Sequence, residues 1–313
     1  MLVGIQGSGQ LTGELPDRKR FRAVAELAEE LGYDSLWAGE HLSFHNPILD
    51  LGVALSAFAA WTERIALGAG ILLLPLRHPG LVAKQASSID YLSGGRLLLG
   101  VGVGGEGEKD FEAAGVPIGE RGARTDESIA ALRMLFGQPP ASFHGSFYGF
   151  DDVVIGPRAA QTGGPPILVG GNSPAAQRRA GALGDGWLPY MISARRYAEG
   201  LTAVRSHAAA ASRDPSAIRA GVVLFALVGS DGERAREAAR KHLSEQYGME
   251  FAPHHVERLC VAGTPEECVA RLGEYAAAGA EHVCLNPSVG DDGFLDQCRL
   301  LHSEVVAPFR KAA

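Results

Sequence analysis

Leu92-Ser93-Gly94-Gly95-Arg96-Leu97-Leu98-Leu99-Gly100-Val101-Gly102-Val103-Gly104-Gly105 contains a complete helix-to-strand junction. The preceding Pro79–Leu92 is apolar at helical spacing, with Pro79 near the first turn, and Ser93-Gly94-Gly95 stops it. Arg96–Gly102 then reads as a buried strand whose end is rich in glycine. Gly100, Gly102 and Gly105 satisfy G-x-G-x-x-G, the dinucleotide-binding spacing. That motif needs a helix opening directly after it and an acidic residue about 20 positions on. Here the acidic run Glu106-Gly107-Glu108-Lys109-Asp110 follows, a poor neighbour for pyrophosphate, then a polar loop. The dinucleotide reading is rejected, and the junction is one unit of an alternating chain.

The same alternation extends in both directions. Upstream, strands are predicted over Leu2–Gln6, Ser35–Ala38 and Ile65–Ile71, separated by helices over Asp17–Leu31 (capped at Asp17, stopped by Gly32) and Asp50–Trp61. Downstream come a helix over Gly122–Phe136 and a hairpin around Phe143–Phe150. Strands over Pro166–Val169, Gly186–Leu188, Arg219–Val228 and His282–Asn286 follow. Helices are predicted over Ser173–Gly181, Ala194–Ser212, Gly232–Tyr247 and Thr264–Ala278, then a terminal helix. Thr264 is the N-cap of its helix and Pro265 the first helical residue. Strand–helix alternation implies parallel neighbours, and eight units point to a closed (β/α)8 TIM barrel rather than an open sheet. In such a barrel the chemistry sits at the C-terminal ends of the strands.

Composition narrows the class. The 313 residues are 46% hydrophobic and 21% charged, which excludes intrinsic disorder, and the 41 glycines have no three-residue period. Net charge is −7 with no basic run, against nucleic acid or an anionic membrane surface as partner. The longest apolar stretch, Ile65–Leu76, is too short to span a bilayer. Met1 opens onto a strand with no basic segment, so no signal peptide is expected. Cys260, Cys268, Cys284 and Cys298 form no C-x-x-C and read as reduced thiols of a cytoplasmic protein.

The strand ends are therefore the places to look for function. After the second strand stand Glu40 and His41, a carboxylate and an imidazole able to move a proton near neutral pH. The ordinary structural alternative is that His41 bonds a loop and Glu40 pairs with a nearby arginine. After the third strand, Gly68-Ala69-Gly70-Ile71 permits a bulge where a flat group could approach. After the fifth, Gly170-Gly171-Asn172-Ser173-Pro174 opens a helix with Ser173 as cap, and its free N–H groups favour an anion such as phosphate. His41 with His45, and His254 with His255, lack a third ligand at recognisable spacing, so no metal is expected.

Taken together the chain resembles the bacterial luciferase-like flavin and deazaflavin oxidoreductases. The resemblance is carried by Ala28–Trp37 leading into Glu40-His41, by Arg77-His78-Pro79, and by Lys84-Gln85-Ala86 with Ile89-Asp90. It continues through Leu92–Arg96 into Leu99–Gly102, and through Glu120–Glu127, Pro165–Gly171, Gly184–Trp187 and Gly263–Glu267. It implies a single (β/α)8 barrel domain over residues 1–313 with inserted segments at 104–119 and 137–164. It also implies a homodimer, a flavin-type ring at the barrel mouth, and a non-prolyl cis peptide, by position Gly70–Ile71. The implied cofactor-binding residues are Glu40, Gly70, Ile71, Leu73, Gly102, Gly104, Glu108, Gly170, Gly171, Asn172, Ser173, Ala175 and Ala176. The implied catalytic residues are His41 and Glu40, the charge of Glu40 favouring protonation of the imidazole.

Two cofactors occur on this fold. Compactness and the Gly-Ile bulge resemble the branch using coenzyme F420, a deazaflavin that transfers hydride; FMN, with a monooxygenase activity served by a separate reductase, is the alternative. Members that oxidise sugar phosphates or alcohols carry a glutamate where this chain has Gln10 and a tryptophan near where it has His45. Sugar-phosphate oxidisers also have an acid where Gly105 stands, a role for which Glu106 or Glu108 is the nearest substitute. These departures fit a reductase of an activated double bond, acting on a small molecule, better than an alcohol dehydrogenase. A barrel that binds a flavin without turnover is the non-enzymatic alternative.

Overall fold

The computed structural model describes residues 1–7, 18–44, 46–105 and 107–312. Gln10, Asp17, His45 and Glu106 lie outside the described residues. Eight parallel strands form the barrel: β1 (Leu2–Gln6), β2 (Ser35–Ala38), β3 (Ala66–Ala69), β4 (Leu97–Gly102), β5 (Ile167–Gly170), β6 (Gly186–Leu188), β7 (Arg219–Val228) and β8 (His282–Pro287). They pair in chain order, and β8 returns to β1 with Val3 opposite Val283, closing the sheet. The short β6 joins β7 through Gly186 opposite Arg219 and Trp187 opposite Ala220. These strands are covered on both faces, so they read as apolar runs rather than as alternation.

One side chain from most strands fills the lumen. Trp37, Leu98, Leu168, Leu188, Val223 and Cys284 pack there, with Ile71 at the upper edge. Trp37 decides its neighbours: a Cβ on Gly68 would lie 2.1 Å from the indole ring, so only glycine fits opposite it. The helices α1 (Arg18–Leu31), α2 (Leu51–Trp61) and α3 (Pro79–Leu92) lie between strands as expected, although Asp50 is the cap of α2, accepting from Val53 N at 3.0 Å, not its first residue. Further along come α4 (Glu108–Ala114), α5 (Arg121–Phe136), α6 (Pro174–Leu183), α7 (Ala194–Ala210), α8 (Gly232–Tyr247), α9 (Pro253–Leu259) and α10 (Pro265–Ala277). Helical turns over 294–312 finish the described chain. Thr264 and Glu267 complete a reciprocal capping box at the start of α10.

Three features differ from the expectation. The strand predicted over Ile65–Ile71 stops at Ala69, and Leu72–Leu73 pairs separately with the end of β4, with the cis Gly70–Ile71 peptide between them. Cys260–Gly263 is an additional strand lying against the far end of β7, with Phe225 opposite Cys260. Its four residues hold a single β-branched side chain, too little to stand out in the sequence. The polar loop expected after Gly105 contains α4. Segment 137–164 carries a two-stranded hairpin, Ala141–His144 with Gly149–Val153.

Candidate active site

A cavity of about 510 Å³ opens at the C-terminal end of the barrel. Its floor is the bulge. Ile71 reaches across it, and a Cβ on Gly102 or Gly170 would fall 2.1 Å or 2.7 Å from the Ile71 Cδ1 atom. The two glycines, from adjacent strands β4 and β5, are thus what leaves room for the Ile71 side chain. Gly39, Glu40, His41, Leu73 and Gly104 continue the lining on this side.

His41 is held by a residue 69 positions away. Its Nδ1 lies 2.9 Å from Asp110 Oδ2, and Asp110 Oδ1 accepts from Ser43 N at 2.6 Å. Asp110 sits in the first turn of α4 with its side chain 1% exposed. Phe44 stacks on the imidazole with ring centroids 4.4 Å apart. With Nδ1 engaged by a carboxylate that can only accept, the neutral tautomer carries its proton on Nδ1 and leaves Nε2 as the second functional nitrogen.

Glu40 does something else. Its Oε2 accepts from Leu73 N at 2.8 Å and its Oε1 lies 2.5 Å from Arg77 Nη2, while Arg77 also reaches Asp50 Oδ2 at 2.8 Å. Burial pushes the Glu40 carboxyl up, against the opposing pull of Arg77 and the Leu73 N–H. The expectation that Glu40 acts on the neighbouring imidazole is therefore corrected. Its side chain pins the segment after the cis peptide, and the carboxylate partner of His41 is Asp110.

The opposite wall starts at α6. Ser173 caps this helix, accepting from Ala176 N at 3.2 Å, and Gly171 stands at φ +92°, where a Cβ would meet Ala176 at 3.1 Å. Gly170, Gly171, Ser173, Ala175 and Ala176 all line the cavity. Two guanidinium groups that the sequence reading missed stand beside them. Arg179 is buried, bonded to Asp126 and to Gly122 O, and Arg121 donates to Ile118 O at 2.9 Å. Among the described residues no carboxylate pairs with Arg121. A capped helix start in a cavity that also holds the unpaired guanidinium of Arg121 suits an anion, while Asp126 meets the charge of Arg179.

Two expected binding residues are elsewhere. Glu108 is exposed at the start of α4 and Asn172 is exposed beside a different cavity; neither lines the mouth. The reason is local. The first turn of α4 turns Asp110 inward and leaves Glu108 outward, and the Gly171 conformation turns the chain so that its neighbour Asn172 leaves the cavity. The remaining wall, also missed, comprises Tyr190, Val223, Phe225 and Tyr247, with Gln6 and Asn286 as polar groups. Gln6 and Asn286 lie at the ends of β1 and β8, so the strand-end rule could have found them. Tyr247, at the end of α8, carried no such signal.

A sequence profile of the luciferase-like monooxygenase family matches residues 1–282. The chain belongs to the luciferase-like family. Within it, the F420-dependent glucose-6-phosphate dehydrogenase of Beutenbergia cavernae is 30% identical over 324 residues, covering 93% of each chain. Uncharacterized protein Rv0940c of Mycobacterium tuberculosis is 44% identical over 185 residues. That match covers 53% of this chain and 63% of the relative, so the chain spans just under two thirds of that protein's length. Among solved structures, an F420-dependent secondary alcohol dehydrogenase in complex with an F420-acetone adduct superposes with a TM-score of 0.85 at 19% identity, covering 98% of both chains. These luciferase-like barrels share the fold described above. No described helix is long and apolar enough to cross a membrane.

Proposed function

We propose that the chain is a coenzyme F420-dependent oxidoreductase that transfers hydride between the deazaflavin C5 and a small organic substrate, working as a reductase of an activated double bond. The observation that carries this reading is a mouth cavity with one glycine-walled apolar end, one anion-suited end and the His41–Asp110 pair at its edge. The residues present fit the cofactor. The bulge with Gly102 and Gly170 leaves a smooth floor for a flat ring, and Gly171, Ser173 and Arg121 suit its phosphate. When bound, F420 supplies or receives the hydride.

The proton side falls to the protein. With Nδ1 on Asp110, His41 Nε2 is the nitrogen left to exchange a proton with substrate, and Phe44 and Asp110 together fix the ring plane. Glu40 and Arg77 hold Leu72–Leu73 and with it the floor. Tyr190, Phe225 and Tyr247 offer an apolar, aromatic face that excludes water from the reacting carbon. At the position where sugar-phosphate oxidisers carry an acid, Gly105 stands at φ +120° beside Arg121, which favours reduction over alcohol oxidation.

An FMN-dependent two-component monooxygenase is the second reading, favoured by one relative: 4-hydroxyprotoasukamycin monooxygenase of Streptomyces nodosus is 33% identical over 192 residues. Titration of purified protein with F420 and with FMN separates the two. The expected result is saturable F420 binding and weak or no FMN binding; the reverse would overturn the proposal. Gly171→Val, which places a side chain where φ is positive, is expected to weaken cofactor binding about tenfold.

A further inference from the structure

The rim of the barrel is divided into two unlike arcs. At the ends of β2, β3, β4 and β5 the mouth cavity is lined by Gly39, Gly70, Gly102 and Gly170. At the ends of β6, β7, β8 and β1 it is lined by Tyr190, Phe225, Asn286 and Gln6. Strand register accounts for the inward direction. Val223 and Cys284 pack in the lumen, and Phe225 and Asn286 stand two residues further on, opposite each other across the β7–β8 ladder, so they face the same way. The bare arc suits the cofactor ring. The arc with side chains faces it across the mouth and is left for the substrate.

Charge is divided as unevenly as bulk. Among the described residues, the charged side chains and the imidazole of the cavity are Glu40, His41, Arg121 and Arg179, which follow β2 or lie on α5 and α6. All four belong to the glycine side. The other arc offers aromatic rings and two carboxamides. Phe225 is buried, and Tyr247 stands edge-on to it with ring centroids 6.1 Å apart. Gln6 is buried too; the Cys284 thiol donates weakly to its Oε1 at 3.8 Å, and its Nε2 lies toward Gly39. The Asn286 side chain is half-buried and has no hydrogen-bond partner among the described residues, which leaves its amide to a ligand. A charged substrate in this arc would shed its hydration and meet no counter-charge. A flat apolar body gains contact with the rings, and a lone carbonyl oxygen on it is met by an amide N–H.

We infer that the substrate is an uncharged, planar, conjugated enone, and that Asn286 receives its carbonyl oxygen. The inference rests on the F420 reductase reading above and names the substrate class of that same site. The reaction balances as a two-electron reduction. Hydride from the reduced cofactor forms a C–H bond at the β-carbon, and the electron pair of the C=C bond moves toward the carbonyl oxygen. The Asn286 amide donates to that oxygen as its negative charge grows. The His41 imidazolium then gives its Nε2 proton to the α-carbon, forming the second C–H bond, and is reprotonated from solvent. His41 follows β2, the neighbour of β1, and so stands at the border between the two arcs, where hydride donor and substrate meet.

The test uses three probes: benzalacetone, its para-carboxylate, and phenylpropene, which lacks the carbonyl. Each is titrated into protein saturated with oxidised F420, where no turnover occurs, and benzalacetone reduction is then followed with reduced F420. The wild type is expected to bind benzalacetone roughly tenfold more tightly than either of the other probes. Asn286→Leu should lose the preference over phenylpropene, keep the preference over the carboxylate, and lower kcat/KM for benzalacetone about a hundredfold. F420 affinity should be unchanged, which shows that the mouth is intact. Should the leucine variant fail to fold, Asn286→Asp, of the same size and without the donor, carries the comparison. Equal or tighter binding of the carboxylate by the wild type would overturn the uncharged class. Equal losses for benzalacetone and phenylpropene, or no loss, would overturn the role of Asn286. Binding of F420 but of none of the probes would overturn the inference and leave the F420 reading standing. Failure to bind F420 would overturn that reading and this inference with it.

Discussion

The two ends of the barrel each present a histidine, held in different ways. At the N-terminal end, His282 opens β8; its Nε2 lies 2.7 Å from Ser35 Oγ, which accepts from Trp37 Nε1 at 2.6 Å. Trp37 packs edge-on to the ring at 5.5 Å, and burial pushes the imidazole down to about 4, although Asp34 opposes the shift. At the C-terminal end, His41 has a carboxylate on Nδ1, a phenyl ring on its face and a cavity in front of it. A hydroxyl partner and a packed lumen make a neutral, structural histidine. A carboxylate partner beside open space makes one that can hand on a proton. What separates them is position along the barrel axis, since the lumen below Ile71 is filled by side chains and the space above it is not.

The sharpest way to break this contrast is to remove each ring. His41→Ala is expected to lower turnover by roughly 10²–10⁴ while leaving cofactor affinity nearly unchanged. Turnover within a few-fold of the parent would move the proton transfer to another group. Asp110→Asn tests the orienting contact. Its amide can donate to Nδ1 and so favours the wrong tautomer, and turnover should fall by about ten- to a hundredfold. The pH profile of turnover should change with it, which loss of packing alone would not produce; an unaltered profile would reduce Asp110 to a helix-start contact.

The structural histidine should give the smallest effect on activity and a visible one on stability. In the folded chain His282 titrates near 4, against 6.5 for an ordinary histidine, so the unfolded chain takes up its proton first. Stability from this group is fully present above about pH 6.5 and is lost as pH falls toward 4. His282→Gln should leave turnover within a few-fold, cost about 1 kcal/mol at neutral pH, and flatten the fall in urea midpoint between those pH values. An unchanged slope would mean that other groups carry the acid dependence.

The glycine and proline punctuation of the chain made the alternation legible, and with it the barrel and the rule that function sits at strand ends. That rule placed His41, the Gly70–Ile71 bulge and the Gly170–Ser173 helix start at the mouth, where the structure has them. The residues implied by resemblance overreached at Glu108 and Asn172, because a run of adjacent residues in a turn or first helical turn fans out in different directions. Family resemblance can mark the run but not which member faces in.

The sequence by itself determined the order of strands and helices, because hydrophobic period and caps are local properties of a few consecutive residues. It also determined the glycine-lined floor of the cavity, since glycines opposite a bulge are required by sterics within two neighbouring strands. Only the tertiary structure decided the partnerships. Asp110 meets His41 across 69 residues, Glu40 turns away to Arg77 and Leu73, and Arg121 of α5 and Arg179 of α6 line one cavity. Adjacent residues such as Glu40 and His41 look like a pair on paper, yet their partners come from different distant elements, Arg77 and Leu73 for one and Asp110 for the other. Which charge a buried carboxylate meets is settled by packing between distant elements, and no local pattern encodes that choice.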